Sequence, residues 1–331
     1  MSEQERDNLG EVFGNRIADR YVSLSPSLAI HTDVKTDGQF INPDKVFERY
    51  STLSDNTAVT HDYHELEQEC EVRDVDWNHM DHAHRPHIHN SYQTSLRLFR
   101  SSDVALSFTK ISGLPLFTFV TDIRLAPGLF FQTISLPFIS IQNVLQICSI
   151  GDGKILQRAD WYIISHRLFR LLHKPLNGTL QKFNERVNRE DRTIRGTRTA
   201  LRKKGYSFRG TDLPDYNNSN EMSNNVVYPD LAEELVLPLD FSTSDTVEIS
   251  FEPFNVIVKE AGDDNIFVWL SVCPHEGGPL DASKICNNII ECPWHGLKIK
   301  GRRLSPSSPR ARFNNLDLLL DADQLVITSQ N

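Results

Sequence analysis

Two mixed cysteine–histidine pairs stand toward the C-terminal end of the chain, Cys273-Pro-His275 and Cys292-Pro-Trp-His295, with sixteen residues between them. Each pair offers one thiolate and one imidazole, and glycines follow closely at Gly277, Gly278 and Gly296. Two thiolates and two neutral imidazoles suit a 2Fe–2S cluster with the cysteines on one iron and the histidines on the other. Because the imidazoles are uncharged where thiolates would be anionic, they raise the cluster potential. They also leave a ring N–H to bond an electron acceptor. A zinc site is the competing use of the same four side chains, but zinc usually takes a Cys pair followed by a His pair.

A second cluster of ligand-type residues lies far upstream. Residues 76–89 read Asp-Trp-Asn-His-Met-Asp-His-Ala-His-Arg-Pro-His-Ile-His, with six carboxylates or imidazoles from His79 to His89. Several pairings for a metal are open. Asn78, Asp81 and His84 are spaced three apart, which predicts one shared helical face. Pro86 predicts the end of that helix before His89. His82 and His87 repeat the internal spacing of His84 and His89, but His79 stands three residues before His82 where an Asp precedes His84. A metal ion held by two histidines can take a carboxylate as its third ligand and keep further positions open. Downstream, Glu190 and Asp191 sit among alternating charged residues and supply candidate carboxylates.

These residues carry a family resemblance. The stretch from Cys273 to His295 resembles the Rieske domain over roughly residues 235–329, and Asn78-x2-Asp81-x2-His84-x4-His89 resembles the motif of the catalytic domain of Rieske non-haem iron oxygenases. The resemblance implies a cluster on Cys273, His275, Cys292 and His295, and a mononuclear Fe(II) on His84, His89 and Asp191, with Glu190 as the fallback for the third ligand. It gives Asp81 the role of linking a cluster histidine to His84, and places Asn78 near the open side of the iron. It further implies electrons from a ferredoxin or reductase, O2 as co-substrate, and hydroxylation or demethylation of the monooxygenase type, with a homotrimer as the assembly. High-potential Rieske proteins add a cysteine to each loop to form a disulfide. Gly278 and Trp294 stand at those positions here, so the loops resemble the low-potential kind. Glu276, where these oxygenases often carry Arg, is expected to depress the potential slightly, and Cys286 to be a small buried residue. The order is unusual for the family, with the iron domain first and the Rieske domain last.

The elements that must position these groups are partly legible. Residues 95–165 contain runs of Leu, Phe, Ile and Val with turn signals at Ser112-Gly113, Pro127-Gly128 and Gly151-Asp152-Gly153. They predict four or five antiparallel strands, among them Leu116–Arg124, Leu129–Phe138 and Ile139–Ser149. From Leu176 to Lys204 the apolar residues Leu180, Phe183, Val187, Ile194 and Leu201 recur at helical spacings, and Gly205 predicts the stop. An Asn-rich linker is expected at 211–230, then short strands at Asn255–Lys259, Ile266–Leu270 and Gln324–Ser329. The fold class expected is α+β: a helix-grip-like antiparallel sheet around a long helix in 1–210, then a small all-β domain in 231–331.

Whole-chain properties fit this. The 331 residues suffice for two cores, and a net charge of −9 argues against nucleic-acid binding. The polar start and five cysteines without framework spacing predict a reducing, cytoplasmic setting. Leu125–Ile150 has no charged side chain, but its prolines, glycine and amides argue against a membrane span. The apolar runs suggest a mostly apolar small substrate. Lys298, Lys300, Arg302, Arg303, Arg310 and Arg312 form a basic run suited to an acidic ferredoxin. Two other classes stay open: a non-catalytic redox carrier or sensor with a ligand-binding first domain, and a zinc hydrolase.

Overall fold

The computed structural model describes residues 40–51, 53–100, 103–111, 117–209, 225–262 and 264–330. By packing, the chain divides into two compact units, one up to Gly196 and one from Thr197. Of the linker expected at 211–230, residues 211–224 lie outside the described residues, as does the Ser112-Gly113 turn.

Among the described residues, the first element of the first unit is helix α1 (Pro43–Tyr50), capped by Asn42 and proline-started, which turns Val46 and Phe47 onto the sheet. Phe47 stacks on Tyr162 at 3.9 Å. Strand β1 (Thr57–Glu69) follows, then helices α2 (Val72–Met80) and α3 (Arg85–Ile88). Six strands complete a meander: β2 (Tyr92–Arg100), β3 (Val104–Ile111), β4 (Phe117–Ala126), β5 (Leu129–Leu136), β6 (Ile139–Gly151) and β7 (Lys154–His166). The sheet has seven antiparallel strands in the order β1-β7-β6-β5-β4-β3-β2. Its tight β4–β5 turn requires glycine: Gly128 has φ +72°, and a Cβ there would meet the Ile147 carbonyl oxygen at 2.5 Å.

A 3-10 turn (Arg167–Leu172) leads into the long helix α4 (His173–Lys203), which starts three residues before the expected Leu176. Leu176 and Leu180 pack with Ile141, Trp161 and Ile163 of the sheet. Gly205 ends the helix with φ +90°, and Tyr206 N–H returns to the Leu201 carbonyl at 3.1 Å. The first unit is thus an antiparallel sheet with a long C-terminal helix, the helix-grip layout. Among the described residues, no helix is long and apolar enough to cross a membrane.

Two sequence expectations need correction. Asn78, Asp81 and His84 do not share one helix: α2 ends at Met80, Asp81 is its C-cap, and His84 is the N-cap of α3. Pro86 does not terminate a helix but lies in the first turn of α3, where its missing N–H costs nothing.

After the helix end, the described residues of the second unit form β-strands and one 3-10 turn at Ala282–Lys284. Strands β8 (Ser207–Phe208) and β9 (Val226–Val227) pair. They precede β10 (Leu235–Pro238), β11 (Thr246–Phe251), β12 (Phe254–Glu260) and β13 (Ile266–Leu270). After these come β14 (Ile289–Glu291), β15 (Lys298–Lys300), β16 (Arg302–Leu304), β17 (Arg310–Phe313), β18 (Leu316–Asp321) and β19 (Gln324–Ser329). Two four-stranded sheets, β10-β19-β18-β17 and β11-β12-β13-β16, enclose a core that includes Val256, Val268, Leu316 and Ile327. Strands β14 and β15 pair as a separate hairpin that carries the second ligand loop.

Candidate metal centres

In the first unit, three donors from three places in the chain converge. His84 Nε2 lies 3.2 Å from His89 Nε2 and 3.4 Å from Asp191 Oδ1, and His89 Nε2 lies 3.1 Å from Asp191 Oδ1. All three side chains are buried. The ends of α3 supply the imidazoles, and α4 supplies the carboxylate. A transition ion about 2.1 Å from each donor, at donor–metal–donor angles of about 90–110°, needs donors roughly 3.0–3.4 Å apart. The donor triangle fits that requirement.

The surroundings fix which atoms face inward. Glu190 Oε2 accepts from His89 Nδ1 at 2.9 Å, which leaves Nε2 with its lone pair toward the triangle. Asp81 Oδ2 lies 3.5 Å from His84 Nδ1 and biases that ring the same way. Burial opposes ionisation of Asp191, but the Arg195 guanidinium leads the interactions that hold the carboxyl well below the usual range. Two imidazole lone pairs and a carboxylate facing one point repel each other unless a cation sits among them.

Arg195 holds the frame from behind. It donates to Asp191 Oδ2 at 3.0 Å, to Asn78 Oδ1 at 2.8 Å and to Gln157 Oε1 at 3.1 Å, and it is fully buried. Asn78 in turn donates to Asp191 Oδ1 at 3.2 Å. Sequence reading missed Arg195, although its position four residues after Asp191 on one helix was a usable signal. Glu190, half-buried, orients His89 and does not enter the triangle.

The remaining histidines of the segment go elsewhere. His82 Nε2 meets Asp122 Oδ2 at 2.6 Å, Asp122 also accepts from Arg85 at 3.0 Å, and His87 is exposed. His79 lines a cavity of about 90 Å³ beside the triangle. Its lining combines apolar side chains, among them Phe130, Leu145, Leu180 and Phe183, with the polar Arg85, Gln132 and Asn143. Gln132 donates to Asp122 at 2.6 Å and accepts from Asn143 at 2.6 Å. This network was invisible in sequence because its members are scattered over α3, β4, β5 and β6.

In the second unit, two loops of matching construction hold the other four residues. Cys273 N–H bonds the Gly278 carbonyl at 2.8 Å and Gly277 N–H the Cys273 carbonyl at 3.0 Å; in the other loop, Cys292 pairs with Leu297 at 2.8 Å and Gly296 with Cys292 at 2.9 Å. Gly277 and Gly296 occupy left-handed backbone at φ +88° and +64°. Both cysteines are buried, and the His275 and His295 rings meet edge to face, 4.9 Å between centroids. The Cys273 sulfur is hydrogen-bonded to Cys292 and accepts from the backbone N–H groups of His275 and Glu276. A hydrogen bond from Cys273, opposed by burial and aided by His295, pushes the Cys292 thiol down toward the thiolate. Paired buried sulfurs with N–H donors, and two imidazoles alongside, fit a cluster bound by two thiolates and two imidazoles. A Cβ at Gly278 would meet the Cys292 sulfur at 2.6 Å, so a bridging cysteine has no room there.

Two expectations change. Glu276 does not act as a lone negative charge: it is buried against Arg198 at 2.8 Å and accepts from Asn225 at 2.9 Å, so its charge is compensated. Cys286 is exposed rather than buried, because it opens the turn through Asn287 and Asn288, both at positive φ.

Residues 234–308 match the model of the Rieske [2Fe-2S] domain, and this part of the chain is a Rieske domain. Comparison with curated proteins gave no match. Among solved structures, the chain is similar to truncated norcoclaurine synthase from Thalictrum flavum, with a TM-score of 0.36 and 12% identity over 42% of this chain and 96% of that one. It is also similar to a START superfamily protein from Mycobacterium smegmatis, with a TM-score of 0.30 and 12% identity over 37% and 92%. A third similar structure is the Zhui aromatase/cyclase from Streptomyces sp. R1128, with a TM-score of 0.28 and 10% identity over 33% and 70%.

Proposed function

We propose that the protein is a Rieske-type oxygenase that hydroxylates or oxidatively demethylates a small molecule, with O2 as co-substrate and a ferredoxin or reductase as electron donor. The observation that carries this reading is the buried triangle of His84, His89 and Asp191, whose spacing suits a metal ion, in a chain that also has a Rieske domain. Iron bound there would supply the oxygen chemistry, and the 2Fe–2S cluster would supply electrons singly. The chain's own residues do the rest. His84, His89 and Asp191 present one face of donors and leave the cavity side open. Glu190 and Asp81 fix the two imidazoles, and Asn78 stands between Arg195 and the triangle. The apolar lining excludes water from a substrate's hydrocarbon part, while the Asn143 amide oxygen, buried without a hydrogen-bond partner, can accept from its polar group. The substrate is therefore amphipathic rather than uniformly apolar.

Metal and sulfide analysis, paired with oxygen uptake, tests this reading. Three irons and two acid-labile sulfides per chain are expected, with substrate-dependent oxygen uptake when a ferredoxin and reductase are supplied. Two irons and no uptake would make the protein a carrier or sensor, and zinc at the triangle would make it a hydrolase.

A further inference from the structure

We propose that the first unit docks on an anionic lipid surface through the tip formed by the β5–β6 hairpin and the 3-10 turn before α4. The hairpin loop is two residues, Pro137-Phe138, between the paired ends Leu136 and Ile139. A proline first and a positive φ second is the type II pattern, which takes glycine or asparagine at the second place. Here Phe138 occupies it at φ 67° and is 75% exposed. A bulky residue in left-handed backbone costs conformational energy, and burial does not recover that cost.

The neighbouring turn is exposed in the same manner. All six residues of Arg167–Leu172 are unburied, with Leu168 at 80% and Leu171 at 89% exposure. Phe169 stacks on Phe138 at 5.3 Å and joins the two tips into one apolar protrusion. Arg167, Arg170 and Lys174 are exposed on or beside it, and neither 132–150 nor 166–177 contains a carboxylate; Asp55 is exposed on the adjoining loop, where the Asn56 carbonyl accepts from Arg167 N–H at 2.9 Å, which still leaves the cations in excess. On a chain with net charge −9, that local balance selects an anionic partner. Leucines and a phenylalanine that protrude, with cations beside them, suit insertion between lipid headgroups.

An apolar connection runs inward from the tip. Leu136 and Ile139 at its base, with Ile134, Leu176 and Leu180, pack against the buried Ile141, Trp161 and Ile163, and Ile134 and Leu180 also line the cavity. The docking role stands apart from the oxygenase reading, since it requires neither metal.

The test is co-sedimentation of the full chain with vesicles of phosphatidylcholine containing phosphatidylglycerol, and with vesicles of phosphatidylcholine alone. Binding is expected to the anionic vesicles, weaker to the neutral ones, and reduced by salt. Phe138→Gly suits the turn, so it is expected to fold at least as stably while binding about tenfold more weakly. Arg167→Gln and Arg170→Gln are each expected to weaken binding on the order of fivefold. The proposal is overturned if the wild type ignores anionic vesicles, or if Phe138→Gly binds them as well as the wild type. It is equally overturned if Phe138→Gly and Leu171→Ser instead turn an oligomer into a monomer, which would make the patch a contact between copies.

Discussion

Arg195 shows how much of the candidate iron site depends on a residue that touches no metal. Its guanidinium is buried with hydrogen bonds to Asp191, Asn78 and Gln157, so it both orients the carboxylate and balances its charge. Arg195→Met removes that balance. In metal-free protein the unpaired buried carboxylate should cost about 3–5 kcal/mol of stability. A bound cation would supply part of the missing positive charge, so denaturant unfolding under anaerobic Fe(II) should show a smaller loss. An equal loss with and without the ion would contradict this. His79 provides a pH-dependent counterpart. Burial, aided by Arg195, pushes its pKa down from 6.5 to about 3, so the folded state refuses a proton that the unfolded chain accepts. Stability therefore falls as pH drops through that window, by up to about 1.4 kcal/mol per pH unit from this one group. His79→Gln should flatten the acid limb of a stability–pH curve by that slope, and an unchanged limb would rule the contribution out.

At the level of elements, what was legible followed the strength of the local pattern. Helix α4 announced itself through Leu180, Phe183, Val187 and Ile194, and the β13 and β19 spans match their apolar runs because both strands are buried. Strand β1 did not, because its inward positions are taken by residues such as Gln68 and its text is dominated by His, Asp and Glu. The break between α2 and α3 was hidden because three-residue spacing resembles a helix whether or not the backbone continues through it. The partner of Glu276 was hidden for a different reason: Arg198 is 78 residues away, and nothing local marks the pair. That pair yields a signed expectation. Arg198→Met leaves a negative charge beside the loop of Cys273 and His275 and should lower the cluster potential, whereas Glu276→Gln leaves a positive charge and should raise it. The double variant should return close to the wild-type potential. Voltammetry that finds both single shifts in one direction would reduce the pair to a packing role.

For the whole molecule, the question is how a Rieske domain at residues 234–308 is supplied with electrons and what it supplies in turn. Lys298, Lys300, Arg302, Arg303, Arg310 and Arg312 are all exposed on β15, β16 and β17. Neutralising Arg302 and Arg303 together should slow cluster reduction by an acidic ferredoxin at low ionic strength, and salt should erase the difference. Unchanged reduction rates at low salt would place the donor elsewhere. The destination of those electrons is tested most directly by iron counting on Asp191→Ala. The variant is expected to keep two irons, two sulfides and the visible spectrum of the cluster, and to lose the third iron together with substrate-dependent oxygen uptake. Three irons with full oxygen uptake in that variant would contradict the assignment of His84, His89 and Asp191 as the oxygen-activating site.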